Sequence, residues 1–568
     1  MNPLPWPVPP SDDTAERQLR QSLGIELITA RCLINRGRSK EAEAADFLSP
    51  RLKSLADPFA LRGMEAFANR LHAARTANEG VLIYGDYDAD GVTSSAILEE
   101  VLTALGWRAT TFLPSRFNDG YGLNFESAHK AARASQSTVL ISVDCGTTAA
   151  AVIAQLQAEG IEVLVLDHHL LEGAPAPECI IVNPHLAGDG RFTELCSAGL
   201  AFKVAHALVK HGRAAGSAAE AEYDVRNLLD LVTIGTVADS MPLLGENRHL
   251  VTSGLEYLNK SRRPGLVQLK NIAQLKPGAI SPRQVAMQIA PRINAPGRLA
   301  DPSLALRLLR TTNPAEAAQM ATAADGLNNQ RRELEKGIQQ LLFDRLDQEH
   351  DPVNHSVIVA YDQSWHAGVI GIVASKVVER YHRPTILLAP RGDHWIGSAR
   401  TLDGIDVVGI LTECADLLIR YGGHAAAGGL SIEQHQIEPF RERARRLVTN
   451  RLPGKRVETA DSQATVGELK LKLILELNRL APFGQGNHPP RLAITGARIT
   501  RGPQTMGDSG QHAKFQISDG MNQCEVVAWQ CRDLPNPARL VNLLVEPGVN
   551  EYQGRQTVQL RMLDWNQD

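Results

Sequence analysis

Four short acidic motifs close four apolar runs of this chain: GDYDADG at 85–91, VDCG at 143–146, LDHH at 166–169 and VAD at 237–239. They supply Asp86, Asp88, Asp90, Asp144, Asp167, His168, His169 and Asp239. Carboxylates mixed with imidazoles suit hard or borderline divalent cations such as Mg²⁺ and Mn²⁺. A thiolate zinc site is the wrong match, because the seven cysteines are scattered from Cys32 to Cys531 without a CxxC pair. If the motifs converge, they form a two-metal site for in-line attack on phosphorus. One Asp at a strand end is as readily a helix N-cap, and a lone His is more often a satisfied core or surface residue. Four such motifs together favour the metal. Asp86-x-Asp88-x-Asp90-Gly91 also imitates the start of a calcium loop. Its twelfth position is Ile97, however, where a bidentate Glu is needed, and a strand precedes it.

The elements that must position these groups read as an α/β sheet. VLIYG at 81–85, TVLISVD at 138–144 and IEVLVLD at 161–167 are continuous apolar runs without alternation, as in parallel strands buried on both faces. Helical segments near 93–105, 124–134 and 148–159 separate them. Functional groups of such sheets gather beyond the carboxyl ends of the strands, where the first three motifs stand. Asp239 instead ends the helical run 224–239.

Further along, 303–350 reads as helical with an interruption at Asn313-Pro314, and a long helix joins two lobes. A second α/β pattern follows: SVIVAY at 356–361, a helix at 368–381, PTILLAP at 384–390 and a helix near 436–451. VGELKLKLILELNRLAPFG, from 466, reads as a strand leading into a helix. From 492 on, short strands separated by turns suggest a five-stranded antiparallel barrel. Residues 1–50 are Pro-rich and then helical, a packed extension.

Taken in order, the motifs resemble the DHH phosphoesterase superfamily, named for Asp167-His168-His169. Five further segments narrow the match to the RecJ single-strand-specific exonucleases: PSRFNDGYGL at 114–123, APRINAPGRL at 290–299, GSARTLDGIDV at 397–407, GGHAAAGG at 422–429 and LAPFGQGNHPP at 480–490. The resemblance implies a fold: an α/β protein with a parallel-sheet DHH domain (51–302) behind the 1–50 extension. A connecting helix (303–350) leads to an α/β DHHA1 domain (351–452) and an oligonucleotide-binding β-barrel (453–568).

It also implies roles. Asp144 bridges two metal ions, Mn²⁺ or Mg²⁺. Asp88 holds one; Asp90, His168 and Asp239 hold the other. Asp167 orients an imidazole. His169 either ligates metal or contacts the scissile phosphate. Smaller DHH enzymes place a metal-binding His where Tyr84 stands here, with Asp86 substituting in part. Arg116, Arg292, Asn294, Arg298, Ser398, Arg400, Gly422, Gly423 and His424 become candidates for phosphate or DNA contact. Arg491, Arg498, Arg501 and Lys514 could touch the strand on the barrel, and read equally well as solvated charges. The implied activity is 5′-to-3′ digestion of single-stranded DNA to mononucleotides in repair and recombination. A helicase and a single-strand-binding protein are the implied partners. Two alternatives are a DHH phosphodiesterase or pyrophosphatase for short oligonucleotides or cyclic dinucleotides, and a non-catalytic DNA-binding scaffold. The second expects lost metal carboxylates, and none is missing.

Whole-chain properties set limits. The net charge of −4 gives no global basic signature, although a local basic groove can coexist with it. No GxxxxGK[ST] phosphate loop occurs. Neither a bilayer-spanning apolar run nor signal-peptide features are present, so a cytoplasmic protein with reduced thiols is expected, working as a monomer.

Overall fold

The computed structural model describes residues 6–567 apart from 117–118, 121, 171–178, 187–189, 277, 279, 350–355, 449–457, 508–509 and 532. Parts of the 114–123 loop and of the linker before the barrel therefore lie outside the described residues.

The first sheet consists of β1 (Gly80–Tyr84), β2 (Arg108–Phe112), β3 (Ser137–Val143), β4 (Glu162–Leu166) and β5 (Ile180–Val182). Their order is β2-β1-β3-β4-β5 with every pairing parallel. Helices Ala89–Ala104, Phe125–Ser135 and Ala150–Ala158 lie between them in sequence, as the apolar runs predict. The runs lack alternation because both faces are covered. Val81 and Ile83 join a large core with helices Met64–Thr76, Ser197–Ala214 and Leu229–Ala238. Leu82 and Tyr84 face a smaller core with Ala128, Ala132 and Ile153. Tyr84 thus points into the second core, its hydroxyl 3.1 Å from Ser127 Oγ. It contributes nothing to the acidic cluster.

After Ser303–Arg310, a helix spans Pro314–Glu349 with Pro at its first position, where a missing N–H costs nothing. It leads to a second sheet: β6 (Ile358–Tyr361), β7 (Thr385–Arg391), β8 (His394–Arg400), β9 (Arg420–His424) and β10 (Ala427–Ile432). The order is β6-β7-β8-β10-β9, and only β6 with β7 is parallel. Helix Ile370–Tyr381 packs on one face through Ile370, Val373 and Val377 against Leu387 and Ala389.

The barrel comprises β11 (Ser462–Gln463), β12 (Leu492–Met506), β13 (His512–Ser518), β14 (Gln523–Ala528), β15 (Leu540–Tyr552) and β16 (Arg555–Asn566). It closes because β12 pairs with both β13 and β15. It is not wholly antiparallel: β14 and β16 run parallel. The strand expected from 466 is instead a tight turn, Val466–Glu468, held by a Thr465/Glu468 capping box, followed by helix Leu471–Leu477.

The N-terminal extension forms helices Asp13–Leu23, Leu27–Asn35 and Glu41–Leu48, whose Leu19, Ile28, Leu33 and Phe47 share one core with Leu473, Leu492 and Phe515 of the barrel region. Trp6 Nε1 donates to Asp564 2.9 Å away. Arg248 clasps this unit to the first domain: its guanidinium donates to the carbonyls of Phe47, Leu480 and Ala481 and stacks on the Phe47 ring at 3.7 Å. Among the described residues, no helix is long and apolar enough to cross a membrane.

Candidate metal centre and substrate cleft

Beyond the carboxyl ends of β1, β3 and β4, three groups of potential ligands converge: Asp86, Asp88 and Asp144; Asp90, His168 and Asp239; and Asp144, His168 and His169. Within each group the donor atoms lie within 4.8 Å of one another. Asp144 and His168 are shared between groups, so the sites abut. His168 Nε2 faces Asp144 at 3.4 Å, Asp239 at 3.6 Å and Asp90 at 3.9 Å. These are too long for good hydrogen bonds and leave room for a cation among them.

Local structure explains how each group gets there. Asp88 is the N-cap of helix Ala89–Ala104, its Oδ1 accepting from the N–H groups of Asp90 and Gly91. The N-cap reading of this residue is therefore correct, and it costs only one carboxylate oxygen. A Cβ at Gly91 would stand 2.5–2.7 Å from the Asp86 backbone, so only glycine lets the helix start press on this loop. Asp144 follows β3 with φ of 64°, a left-handed conformation rare outside glycine and found where function holds the backbone strained. Asp239 caps the C-terminus of helix Leu229–Ala238. Asp90 is fixed by helix Ser197–Ala214, whose first N–H groups, from Ser197 and Ala198, donate to its two oxygens at 2.7 and 2.9 Å. Ser197 Oγ donates to Asp144 at 2.8 Å.

The electrostatics suit a cationic occupant. Burial, then the neighbouring Asp88, pushes Asp86 up to about 7 and Asp90 to about 6. Burial and Asp90 push Asp239 to about 8 and Asp144 well above the carboxylate range. Asp86 Oδ1 is buried without a hydrogen-bond partner. Carboxylates this close and this dry repel unless cations neutralise them, so the donor set fits divalent metal.

Asp167 differs. Burial alone would raise its pKa, but donation from His169 and Thr147 holds it well below the usual range. Its Oδ1 accepts from the His168 and His169 amides and from His169 Nδ1 at 2.7 Å; Oδ2 accepts from Thr147. Although burial opposes it, Asp167 raises His169 to about 9. His168, desolvated and beside His169, falls to about 3 and stays neutral, as a metal ligand must. The His169 ring stacks on His424 of the second lobe, centroids 5.6 Å apart.

Next to this cluster a cleft of about 580 Å³ opens between the lobes. Asp86, Asp88, Arg116, Asn294 and Arg298 line one side; Ser398, Arg400, Gly422, Gly423 and His424 line the other. Asn294 Oδ1 accepts from Ala89 N–H, tying its helix to the Asp88 loop. A Cβ at Gly297 would stand 2.4 Å from the Tyr87 carbonyl, so glycine permits the same approach. Arg298 donates to Gly368 of the other lobe, and Arg400 to Ser398 Oγ at 2.9 Å. Burial and the nearby Arg116 lower Arg298 to about 10 and depress Arg400 too, so both guanidiniums suit an anionic partner. Arg292 is not among the residues lining the cleft: its guanidinium is held by Asp325 and the Gln288 carbonyl. Ser197, Thr147 and Arg420 escaped the reading of the motifs; only Ser197, at the head of an apolar helical run, carried a signal, that of an N-cap.

Three family models match: the DHH family N-terminal domain over 80–236, the DHHA1 domain over 354–450 and the RecJ OB domain over 460–564. The single-stranded-DNA-specific exonuclease RecJ of Dickeya dadantii is 34% identical, with 96% of this chain and 97% of that protein aligned. The chain belongs to the RecJ family. The Bacillus subtilis RecJ is 32% identical over 98% of this chain and 70% of its own length. The crystal structure of Thermus thermophilus RecJ in complex with Mn²⁺ superposes with a TM-score of 0.84 at 31% identity, covering 98% of this chain and 78% of that one. A Mg²⁺ complex of the same protein also matches, with a TM-score of 0.78. The RecJ fold thus accounts for all three bodies and for the cleft between them.

Proposed function

We propose that this RecJ-family chain is a metal-dependent exonuclease specific for single-stranded DNA, cutting from the 5′ end and releasing mononucleotides. The observation that carries the reading is the ligand cluster sharing Asp144, set against a cationic cleft between two lobes. Asp86, Asp88 and Asp144 would hold one divalent ion, Mn²⁺ or Mg²⁺, and Asp144, Asp90, His168 and Asp239 the other. Bound there, the ions lower the pKa of a water and balance charge on the phosphoryl oxygens. Asp167 holds the His169 ring through its Nδ1, which leaves Nε2 turned to the scissile phosphate. His424, stacked on that ring, carries the second lobe to the same phosphate. Ser398, Arg400 and Arg298 clamp the terminal 5′-phosphate, with Arg116, Asn294 and Gly423 lining the way between. A guanidinium matches phosphate geometry in two parallel hydrogen bonds. A clamp one nucleotide from the metals sets polarity, and a cleft closed by two lobes admits one strand and not a duplex. The barrel extends the track along the strand. The same reading places the protein in the cytoplasm as a monomer, supplied with single strands by a helicase and a single-strand-binding protein.

The test is digestion of end-labelled oligonucleotides with Mn²⁺ or Mg²⁺, comparing single strands, duplexes and blocked ends. Mononucleotides from free 5′ ends of single strands are expected, with activity abolished in a folded Asp144→Ala protein. Hydrolysis confined to dinucleotides would overturn the reading.

A further inference from the structure

The cleft does not end at the terminal-phosphate clamp. Cross-strand register in the second sheet shows what lies past it. Residues paired directly across antiparallel strands share a face. One row is Arg400–Ala427–His424, nearest the metals; the next is Ser398–Gly429–Gly422; a third is Ile396–Ser431–Arg420. On β7 the same face carries Leu387, Ala389 and, at the strand end, Arg391 opposite His394. Helix Ile370–Tyr381 covers this face over β7 and leaves its β10–β9 half open to the cleft. The sheet thus provides a floor of small side chains running from the His424 row to a second cationic end at Arg420 and Arg391, both of which line the cleft.

Two details show that this floor is kept bare for something. Gly422 and Gly429 are paired neighbours in the middle row, and neither has positive φ. A Cβ at Gly422 would meet nothing within 4 Å, and one at Gly429 only a carbonyl at 3.9 Å. Neither backbone conformation nor packing demands glycine there; what the two residues preserve is open space. Charge is also asymmetric. Among the described residues lining the cleft the only acids are Asp86 and Asp88, at the metal end. One row step is about 6.7 Å from the strand rise, a length comparable to two phosphoanhydride units.

We propose that the Arg391–Arg420 end is a subsite for the outer phosphates of a 5′-polyphosphorylated strand, so that the enzyme trims 5′-di- or triphosphate ends without prior dephosphorylation. The proposal rests on the exonuclease reading above and extends its substrate class. The α-phosphate sits at Ser398 and Arg400, and the β- and γ-phosphates lie one row further on, over Ile396 and Ser431 between the two arginines. The reaction is unchanged. Water oxygen bonds to the phosphorus of the first internucleotide linkage, the bond from that phosphorus to the 3′ oxygen breaks, and the 3′ oxygen takes a proton. The terminal residue leaves as a nucleoside di- or triphosphate with a free 3′-hydroxyl, and the shortened strand keeps a 5′-monophosphate.

The experiment uses the full-length metal-loaded protein and a single-stranded oligonucleotide bearing a 5′-triphosphate with a γ-phosphate radiolabel, beside the same strand with a 5′-monophosphate. The expected first labelled product is the nucleoside triphosphate. In an Arg391→Ala/Arg420→Ala protein, kcat/KM for the triphosphate strand should fall at least about tenfold more than for the monophosphate strand, as loss of two charge-assisted contacts requires. Label released as inorganic phosphate or pyrophosphate would overturn the proposal, and so would equal losses on both strands. If the monophosphate strand is cut and the triphosphate strand is not, the subsite is wrong while the exonuclease reading stands. Should a free nucleoside triphosphate block the monophosphate strand while the triphosphate strand stays intact, the subsite serves a free nucleotide and the proposal fails. If neither strand is cut, both readings fall together.

Discussion

Ser197→Ala is the substitution that most directly tests how this site is built. The hydroxyl is buried and donates to Asp144 Oδ1 at 2.8 Å, and Asp144 is the carboxylate shared by two ligand groups. Alanine fills nearly the same volume and preserves the backbone N–H that Ser197 gives to Asp90. Only one charge-assisted hydrogen bond is lost, a contribution of about 1.5–3 kcal/mol. Because that bond matters most when Asp144 is ionised and bound to metal, the loss falls on metal affinity. At about 1.4 kcal/mol per decade it corresponds to a Mn²⁺ Kd weakened roughly 10- to 100-fold, the range found for partners that orient metal ligands. The assay is calorimetric titration of the metal-free protein with Mn²⁺, beside the metal dependence of exonuclease rate. At saturating Mn²⁺ most of the rate should return, since Ser197 touches neither metal nor DNA. An unchanged Mn²⁺ affinity would refute the reasoning, and so would a rate deficit that no amount of metal repairs.

Three further predictions follow from the same geometry. In metal-free protein Asp90, Asp86 and Asp239 titrate near 6, 7 and 8 against an ordinary value of 3.8. Their folded pKa values are raised, so the native state binds more protons, and their contribution to stability is present below about pH 4 and lost as pH rises through 8. Differential scanning calorimetry should therefore show a Mn²⁺-induced rise in Tm that grows between pH 5 and pH 8.5, both pH limits being approximate; a shift independent of pH would contradict the clustered-carboxylate picture. Arg400→Ala should raise KM for 5′-phosphorylated strands about tenfold or more while 5′-hydroxyl strands change little, measured by steady-state digestion; retained preference for the phosphate would misplace the clamp. Arg248→Ala strips the partner from buried carbonyls of Phe47, Leu480 and Ala481 and should cost about 3–5 kcal/mol in denaturant-unfolding stability, with Mn²⁺ affinity intact; a loss below 1 kcal/mol, as an approximate bound, would show that the clasp is incidental.

The parallel sheet was legible because β1, β3 and β4 are buried on both faces, and such strands announce themselves as unbroken apolar runs. The long helix was legible from Pro314 and its helical spacing. The antiparallel half of the second sheet was not: GSAR, RYGGH and AGGLS carry glycine and arginine where alternation would be sought, because that face is a cleft floor rather than a core. The 466–472 run misleads for another reason. LKLKL alternates like a strand, but the Thr465/Glu468 capping box and the N-terminal helices that pack on Leu473 prevail. At the site, the acids stood in local motifs, while Ser197 acts on Asp144 across more than fifty positions of sequence. Nor does Tyr84 advertise which face of β1 it takes; the opposite core settles that.

The core shared by the N-terminal helices and the barrel has a consequence for biosynthesis. Leu19, Leu33 and Phe47 emerge from the ribosome before both catalytic lobes, and their apolar partners Leu473, Leu492 and Phe515 emerge after them. Domains tend to fold in order of appearance. Here these helices must instead wait, amphipathic and unshielded, through more than four hundred residues of synthesis. The metal-binding lobe can become native before the segment that precedes it, and the barrel strands are what finally shelter those helices. A nascent chain stalled before the barrel therefore displays a sticky segment beside a finished active site, which makes these helices the natural target for whatever holds the chain soluble until the barrel is made.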